Sequence, residues 1–450
     1  MIRTALAAAT LLAATPALAQ STTQDELDAR FDRALAAGYK ALFLCSAIAN
    51  AERNGAERSP ESVERWELAG IQSPLDGLAP DLPFQIQRGP TGQLVQVSVS
   101  WADGVSPRIA IHDSQKGCYQ LPVGGAPAPF NSVREPKTLA DGEVIAPTAS
   151  LGDVFGRAFG PAYGQDTRTT AALVMLGGEI VGERYVAEFG PAVPQRTWSV
   201  AKSLATTLVG AATYRGEIAV NTSAKLGLAF NDRRNAITID HLLRMASGRY
   251  SDTPGNRTDP LYYGGSSVEE TAQHWPLIHT PGTVFRYANN DTLAAVRAIT
   301  PGFGNYPPAA FLETVGMDHT VAETDWRGDY ILSSQVWSTA RDLAKLGQLY
   351  LNDGLLADGT RILPEGWVEY VSTPSGPQPD GPFGYGAGFW LFNKSDGIPP
   401  DTFAAMGNRG QFIVIVPSLN VVIVRRGEDP AGSRFDIAGF TRDVLESLAE

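Results

Sequence analysis

Ser199 and Lys202 stand three residues apart in Trp198-Ser199-Val200-Ala201-Lys202-Ser203. On a helix that spacing is just under one turn, so hydroxyl and amine share a face. A serine opening a helix has unpaired backbone N–H groups and the positive end of the dipole beside it. A lysine in a dry, crowded pocket can shed its proton and act as the base for such a serine. The pattern alone is weak, since any polar helix face can produce it. Tyr287-Ala288-Asn289 adds a phenol and a carboxamide, and Gly407-Asn408-Arg409-Gly410-Gln411 precedes an apolar strand. Gly410 in that stretch would let the backbone come close to a substrate. A nucleophile, a proton carrier and donors aimed at a developing oxyanion are what acyl transfer requires. G-x-S-x-G and H-E-x-x-H are both absent, which removes the main signals of an α/β-hydrolase or a metalloprotease. Five scattered histidines and two cysteines give no metal-ligand spacing, so neither metal nor cofactor is expected.

The elements that must position these residues are readable from periodicity. Val200, Leu204, Leu208 and Ala212 recur at i+4, with Ser199, Lys202, Ser203 and Thr206 on the other side, which predicts a helix over 199–215 capped by Gly216. Ahead of it, 171–175 and 180–185 read as a hairpin turned by Gly177-Gly178. Two apolar strands, 411–416 and 420–426, meet at Pro417-Ser418, and a final helix is expected over 433–448. Arg425 and Arg426 read as a solvated strand end. His241 lies inside an apolar helix start and reads as structural, and Ser247-Gly248 as a helix C-terminus. Strands first, a helical middle, then strands and a helix make an α/β layer with a helical insertion rather than a βαβ repeat.

Upstream, 24–50 reads as a helix. Val95, Val97, Val99 and Trp101 alternate with Gln96, Ser98 and Ser100 as a strand, and 108–112 resumes after an Asp103-Gly104 turn. Residues 20–122 therefore form a small α/β extension, and the Pro/Gly/Ala-rich 123–150 a linker to a domain over 151–450. Arg3, the apolar Ala5–Ala14 run and Ala17-Leu18-Ala19 make residues 1–19 a secretory signal peptide cleaved after Ala19, which places the protein in the periplasm or outside the cell. In an oxidising compartment Cys45 and Cys118 are a candidate disulfide, with a closed loop worth about 4 kcal/mol on the chain-entropy model. The net charge of -12, without basic clusters, argues against nucleic acid and anionic membrane surfaces. No later apolar run is long enough for stable membrane insertion. The sequence leaves the oligomeric state open.

Taken in order, Ser199-x-x-Lys202, the His241-Leu242-Leu243 segment, Tyr287-x-Asn289 and the Asn408–Gln411 stretch resemble the serine hydrolases of the penicillin-binding protein and class C β-lactamase superfamily. The branch containing 6-aminohexanoate-dimer hydrolases and related esterases is the nearest likeness. The resemblance covers roughly residues 150–450 and implies a β-lactamase/transpeptidase-like α/β fold, an antiparallel sheet flanked by helices. It implies Ser199 as acylated nucleophile, Lys202 as its base, Tyr287 as proton shuttle and Asn289 as the group orienting lysine or substrate amide. Asn408-Arg409-Gly410 stands where many relatives carry Lys-Thr-Gly or His-x-Gly, so the usual cation is missing. Gln411 would lend its backbone N–H to the oxyanion hole with that of Ser199. Arg409, read as strand, would point to the opposite face. The implied substrate is a small-molecule ester or amide. Alternatives are a D,D-peptidase or β-lactamase and a catalytically silent relative that binds a ligand or partner.

Overall fold

The computed structural model describes residues 15–126, 143–250, 258–272 and 274–449, with side chains from residue 23 onward. Among these, fourteen strands form three sheets. The first sheet is a meander of β1 (Phe84–Arg88), β2 (Leu94–Val99), β3 (Arg108–Asp113) and β4 (Gly117–Gln120), packed on the long helix Thr15–Arg53. In chain order there follow β5 (Thr169–Leu176), β6 (Glu179–Tyr185), β7 (Gln195–Arg196), β8 (Val321–Ala322) and β9 (Val336–Ser338). The last are β10 (Gly384–Tyr385), β11 (Trp390–Leu391), β12 (Phe403–Gly407), β13 (Gln411–Val416) and β14 (Val421–Gly427). The main sheet is antiparallel, ordered β10-β11-β12-β13-β14-β5-β6, and a small sheet runs β7-β9-β8.

The period of two in the main sheet decides what covers each face. Leu173, Met175, Ile413, Ile415, Val422 and Val424 pack against helices Val200–Tyr214 and Ala340–Leu351. Their neighbours Ala172, Val174, Val414, Val416, Val421 and Ile423 pack against helices Ala149–Ala158 and Ile437–Ala449. The chain therefore has the expected α/β fold, an antiparallel sheet flanked by helices.

Several expectations are revised. The final helix starts at Ile437 rather than 433. The Val200–Tyr214 helix is not two-faced: Lys202, Ser203, Thr206 and Thr207 are as buried as its leucines, because its polar side is closed over by other segments such as those carrying Ser333, Tyr350 and Gly388. Arg425 and Arg426 are fully buried instead of solvated. Arg425 is clamped by Asp429 at 2.8 Å, and Arg426 donates to the carbonyls of Gln195, Arg196 and Ser338. The N-terminal helix runs unbroken across the expected cleavage point at Ala19, while residues 1–14 of the expected signal peptide lie outside the described residues. Of the expected linker, 127–142 lies outside them too, and its last two residues already belong to helix Ala149–Ala158.

The extension does not keep a core to itself. Tyr39, Phe43 and Cys45 share one apolar cluster with Trp198, Tyr262, Tyr263, Leu293 and Trp337. A disulfide joins Cys45 to Cys118 with Cα atoms 6.1 Å apart.

Candidate active site

The nucleophile segment leaves β7 and enters its helix through a sharp corner. Trp198 has φ +49°, a left-handed conformation that costs a bulky residue about 1–3 kcal/mol and persists only where the surroundings enforce it. Ser199 follows as the N-cap of helix Val200–Tyr214, yet its hydroxyl makes no capping bond. The half-buried Oγ instead accepts a hydrogen bond from Lys202 Nζ at 2.9 Å.

Lys202 is 2% exposed. Its Nζ also donates to Asn289 Oδ1 at 2.7 Å and to the Ser333 carbonyl at 2.8 Å. These acceptors come from three segments, so the amine sits where helix, insertion and the turn before β9 converge. Asn289 opens helix Asn289–Ile299, and its Nδ2 donates to Thr258 Oγ1 at 2.9 Å, which fixes the orientation of the amide. The Tyr287 ring faces the lysine, with Nζ 5.1 Å from its centroid. It also packs on Trp390 of β11 and, edge-on, on Tyr385 of β10. Burial pushes the Tyr287 phenol up to about 12, opposed by hydrogen bonding to Ser199 and to Trp390. The phenol therefore keeps its proton across the neutral range.

Ser199, Lys202, Tyr287 and Asn289 are thus brought together. The β12–β13 turn behaves differently. Asn408 is exposed at its tip, and its Oδ1 accepts the N–H of Arg409 at 2.9 Å. Arg409 is in a left-handed turn conformation, φ +56°, rather than on a strand. Its buried guanidinium bonds Glu428 at 2.8 Å and the carbonyls of Trp66, Ala69 and Gly70. The orientation expected for Arg409 from strand alternation has this other cause, and the cation is committed to the N-terminal region.

Gly410 also needs a correction. A Cβ there would overlap the Arg425 guanidinium and the Asp429 carboxylate, so its missing side chain makes room for a buried ion pair rather than for a substrate. The Gln411 side chain is turned inward, accepting from Arg426 Nε at 2.5 Å and donating to the Gly427 carbonyl. The close approach to the nucleophile occurs at Gly407, which pairs with Gln411 across the strands. A Cβ on Gly407 would overlap the Thr197 carbonyl and stand 3.1 Å from Ser199 N. Gly407 carries no expected role in the sequence. Two glycines three residues apart flank the turn, and that pattern does not say which of the two meets the helix.

Residues read as structural have such surroundings. His241 Nδ1 accepts the Thr238 N–H in a capping box. Ser247 donates to Asp291 at 2.8 Å inside the Arg249–Asp291 ion pair. Tyr262 is buried with its hydroxyl 2.7 Å from Ser333 Oγ, in the residue whose carbonyl accepts from Lys202.

A sheet of this order with a Ser-x-x-Lys helix beneath it and a tyrosine facing the lysine defines a class, and the comparisons agree. The chain belongs to the Beta-lactamase family, whose pattern matches residues 155–438. The 6-aminohexanoate-dimer hydrolase of Paenarthrobacter ureafaciens is 27% identical, the match covering 46% of this chain and 58% of that protein. The chain thus spans less than two thirds of that curated relative. Among solved structures, one from Bacillus anthracis provisionally assigned as a 6-aminohexanoate-dimer hydrolase superposes with a TM-score of 0.54 at 23% identity, covering 62% of this chain and 79% of its own. A family VIII carboxylesterase superposes with a TM-score of 0.52 at 17% identity, covering 68% and 99%. At these identities the structural likenesses speak for the fold, which is β-lactamase/transpeptidase-like.

Proposed function

We propose that the protein is an exported serine hydrolase that cleaves ester or amide bonds of small molecules through an acyl-enzyme on Ser199. The observation that carries this is the 2.9 Å contact between Lys202 Nζ and Ser199 Oγ beneath the Tyr287 ring. With Nζ unprotonated, the same contact lets the amine take the hydroxyl proton as Oγ bonds to the substrate carbonyl carbon. Collapse of the adduct breaks the bond to the leaving group. That group takes its proton from the Tyr287 phenol, which is refilled from Lys202. Water then attacks the acyl ester by the same relay, releasing the acid and restoring Ser199. Ser199 N at the helix start is one oxyanion donor. The second belongs at the strand edge beside it, where Gly407 makes the close approach, ahead of the Gln411 N–H expected for it. The N-terminal apolar run and the Cys45–Cys118 bond support export and removal of residues 1–19, and 20–122 is read as an extension serving the 151–450 domain.

The test is intact-mass spectrometry after reaction with p-nitrophenyl butyrate. One acyl adduct on Ser199, absent from Ser199→Ala, is the expected result, and an adduct on Ser203 or Ser247 would refute the assignment. For substrate class, the commitment of Arg409 to Glu428 leaves the turn without a spare cation for a substrate carboxylate. Such a charge-assisted contact is worth about 1.5–3 kcal/mol, so kcat/KM for a p-nitrophenyl ester is expected to exceed that for a chromogenic cephalosporin. The name of the Paenarthrobacter relative supports amides among the substrates.

A further inference from the structure

Acyl transfer makes no direct use of a buried cation two residues before the Trp198–Ser199 corner. Arg196, on β7, is 1% exposed. Its guanidinium carbon lies 4.1 Å from the ring centroid of Trp198, 4.9 Å from Phe43, 5.4 Å from Tyr262 and 5.8 Å from Tyr263. Nη2 donates to Ser334 Oγ at 2.8 Å, while Nε and Nη1 are buried without a hydrogen-bond partner among the described residues. The aromatic faces are what this charge meets, and a desolvated cation is attracted by the negative face of such rings.

The cage touches the chemistry on both sides. Trp198 is the left-handed residue directly before Ser199. Tyr262 shares a hydrogen bond with Ser333 Oγ, and the Ser333 carbonyl is an acceptor for Lys202. Arg196 grips the next residue, Ser334. The fourth wall, Phe43, comes from the long N-terminal helix, outside the family-matched 155–438. That wall is anchored twice. Cys45, two residues on, carries the disulfide to Cys118, and Glu323 accepts from Asn50, from the Cys118 N–H and from the indole of Trp337. Trp337 in turn pairs with Arg196 between β9 and β7.

We infer that Arg196 is a positioning residue, holding the Trp198–Ser199 corner and the Ser333 carbonyl in register around Lys202, and that the N-terminal region takes part in catalysis by closing its cage with Phe43. This rests on the acyl-transfer reading. A guanidinium that only filled space would not need to bond the neighbour of the very carbonyl that holds the lysine. Displacing reacting groups by about 1 Å can cost roughly a hundredfold in rate.

The experiment first establishes the Ser199 adduct and the steady-state constants of the full-length protein with p-nitrophenyl butyrate. Arg196→Met keeps the volume and removes the charge. It should lower kcat about 10- to 100-fold with KM within about twofold, and Arg196→Lys should recover part of the loss. Phe43→Leu should lower kcat less, by about three- to tenfold. A folded Arg196→Met with wild-type kcat overturns the inference. If that variant does not fold, Ser334→Ala removes only the accepting hydroxyl: a fall in kcat at constant KM supports the role, and an unchanged kcat overturns it. A wild type that forms no adduct at Ser199 fails the acyl-transfer reading and takes the positioning role with it. A labelled wild type with unaffected variants fails this inference alone.

Discussion

Two kinds of buried cation occur in the molecule, and they are solvated in opposite ways. Lys202 is met by a hydroxyl, an amide oxygen and a backbone carbonyl. Arg409 and Arg425 are met by carboxylates, Glu428 and Asp429, each at 2.8 Å. Dipolar acceptors can hold an amine in either protonation state, because losing a proton removes one hydrogen bond and strands no opposite charge. A carboxylate partner fixes the charge, since neutralising one member leaves the other buried alone. Acceptor type thus separates Lys202, suited to moving protons, from Arg409 and Arg425, which hold strands together; Arg426, met by carbonyls and the Gln411 amide oxygen, stays a strand-holding cation because a guanidinium gives up its proton far less readily than an ammonium.

The sharpest way to break this contrast is to delete one member of each group. Lys202→Ala should lower kcat by roughly 10²–10⁴, the usual range for losing a general base, while its thermal midpoint stays close to wild type. Arg425→Met should do the reverse. Removing one partner of a buried pair costs about 3–5 kcal/mol, read as a lower denaturation midpoint, with near-normal kcat for the folded fraction. Equal effects on stability in both variants would sink the distinction. The two glycines of the β12–β13 turn refine it. Gly407→Ala presses on Ser199 N and should reduce kcat about 10- to 100-fold. Gly410→Ala presses on Arg425 from a residue at φ +79° and should show first as lost stability in the same melts.

The smallest expected effect concerns Glu323, the carboxyl that joins the N-terminal region to Trp337. Burial pushes it up from 4.5 to about 7, against the pull of its hydrogen bonds and of Arg196. Between those values the native carboxyl keeps a proton that the unfolded chain has lost. Its contribution is therefore full below pH 4.5 and fades as pH rises through 7, by at most about 1.4 kcal/mol per unit. Thermal melts at pH 5 and 7.5 should show a smaller decline for Glu323→Gln than for wild type, and parallel declines would remove Glu323 as the cause.

What the sequence disclosed follows the same division. Ser199, Lys202, Tyr287 and Asn289 were legible because short spacings and the resemblance place them in one site. The hairpins were legible because short apolar runs flank the turn signals Gly177-Gly178 and Pro417-Ser418, and the antiparallel sheet because the family resemblance implies it. The fates of Arg409, Arg425 and Arg426 were not, since their partners are set by which strands meet and a charged residue after an apolar run normally reads as solvated. The same holds for Gly407 against Gly410: both tolerate close approach, and only the packing says what approaches. The cage around Arg196 draws on residues 43, 198, 262 and 263, and no local period connects them.

The core shared by Phe43, Trp198, Tyr262 and Trp337 has a consequence for how the chain acquires its structure. The N-terminal helix packs on β2, β3 and β4, which follow it closely, yet part of the surface that buries it comes from the middle of the polypeptide. That part of its apolar side must wait, exposed, while much of the hydrolase portion is synthesised, and contacts so distant in sequence close slowly. During that interval the helix offers a sticky face to other chains. A fragment ending near residue 122 would keep that face, and one starting near 150 would expose its counterpart, so neither half is expected to behave as a free-standing module.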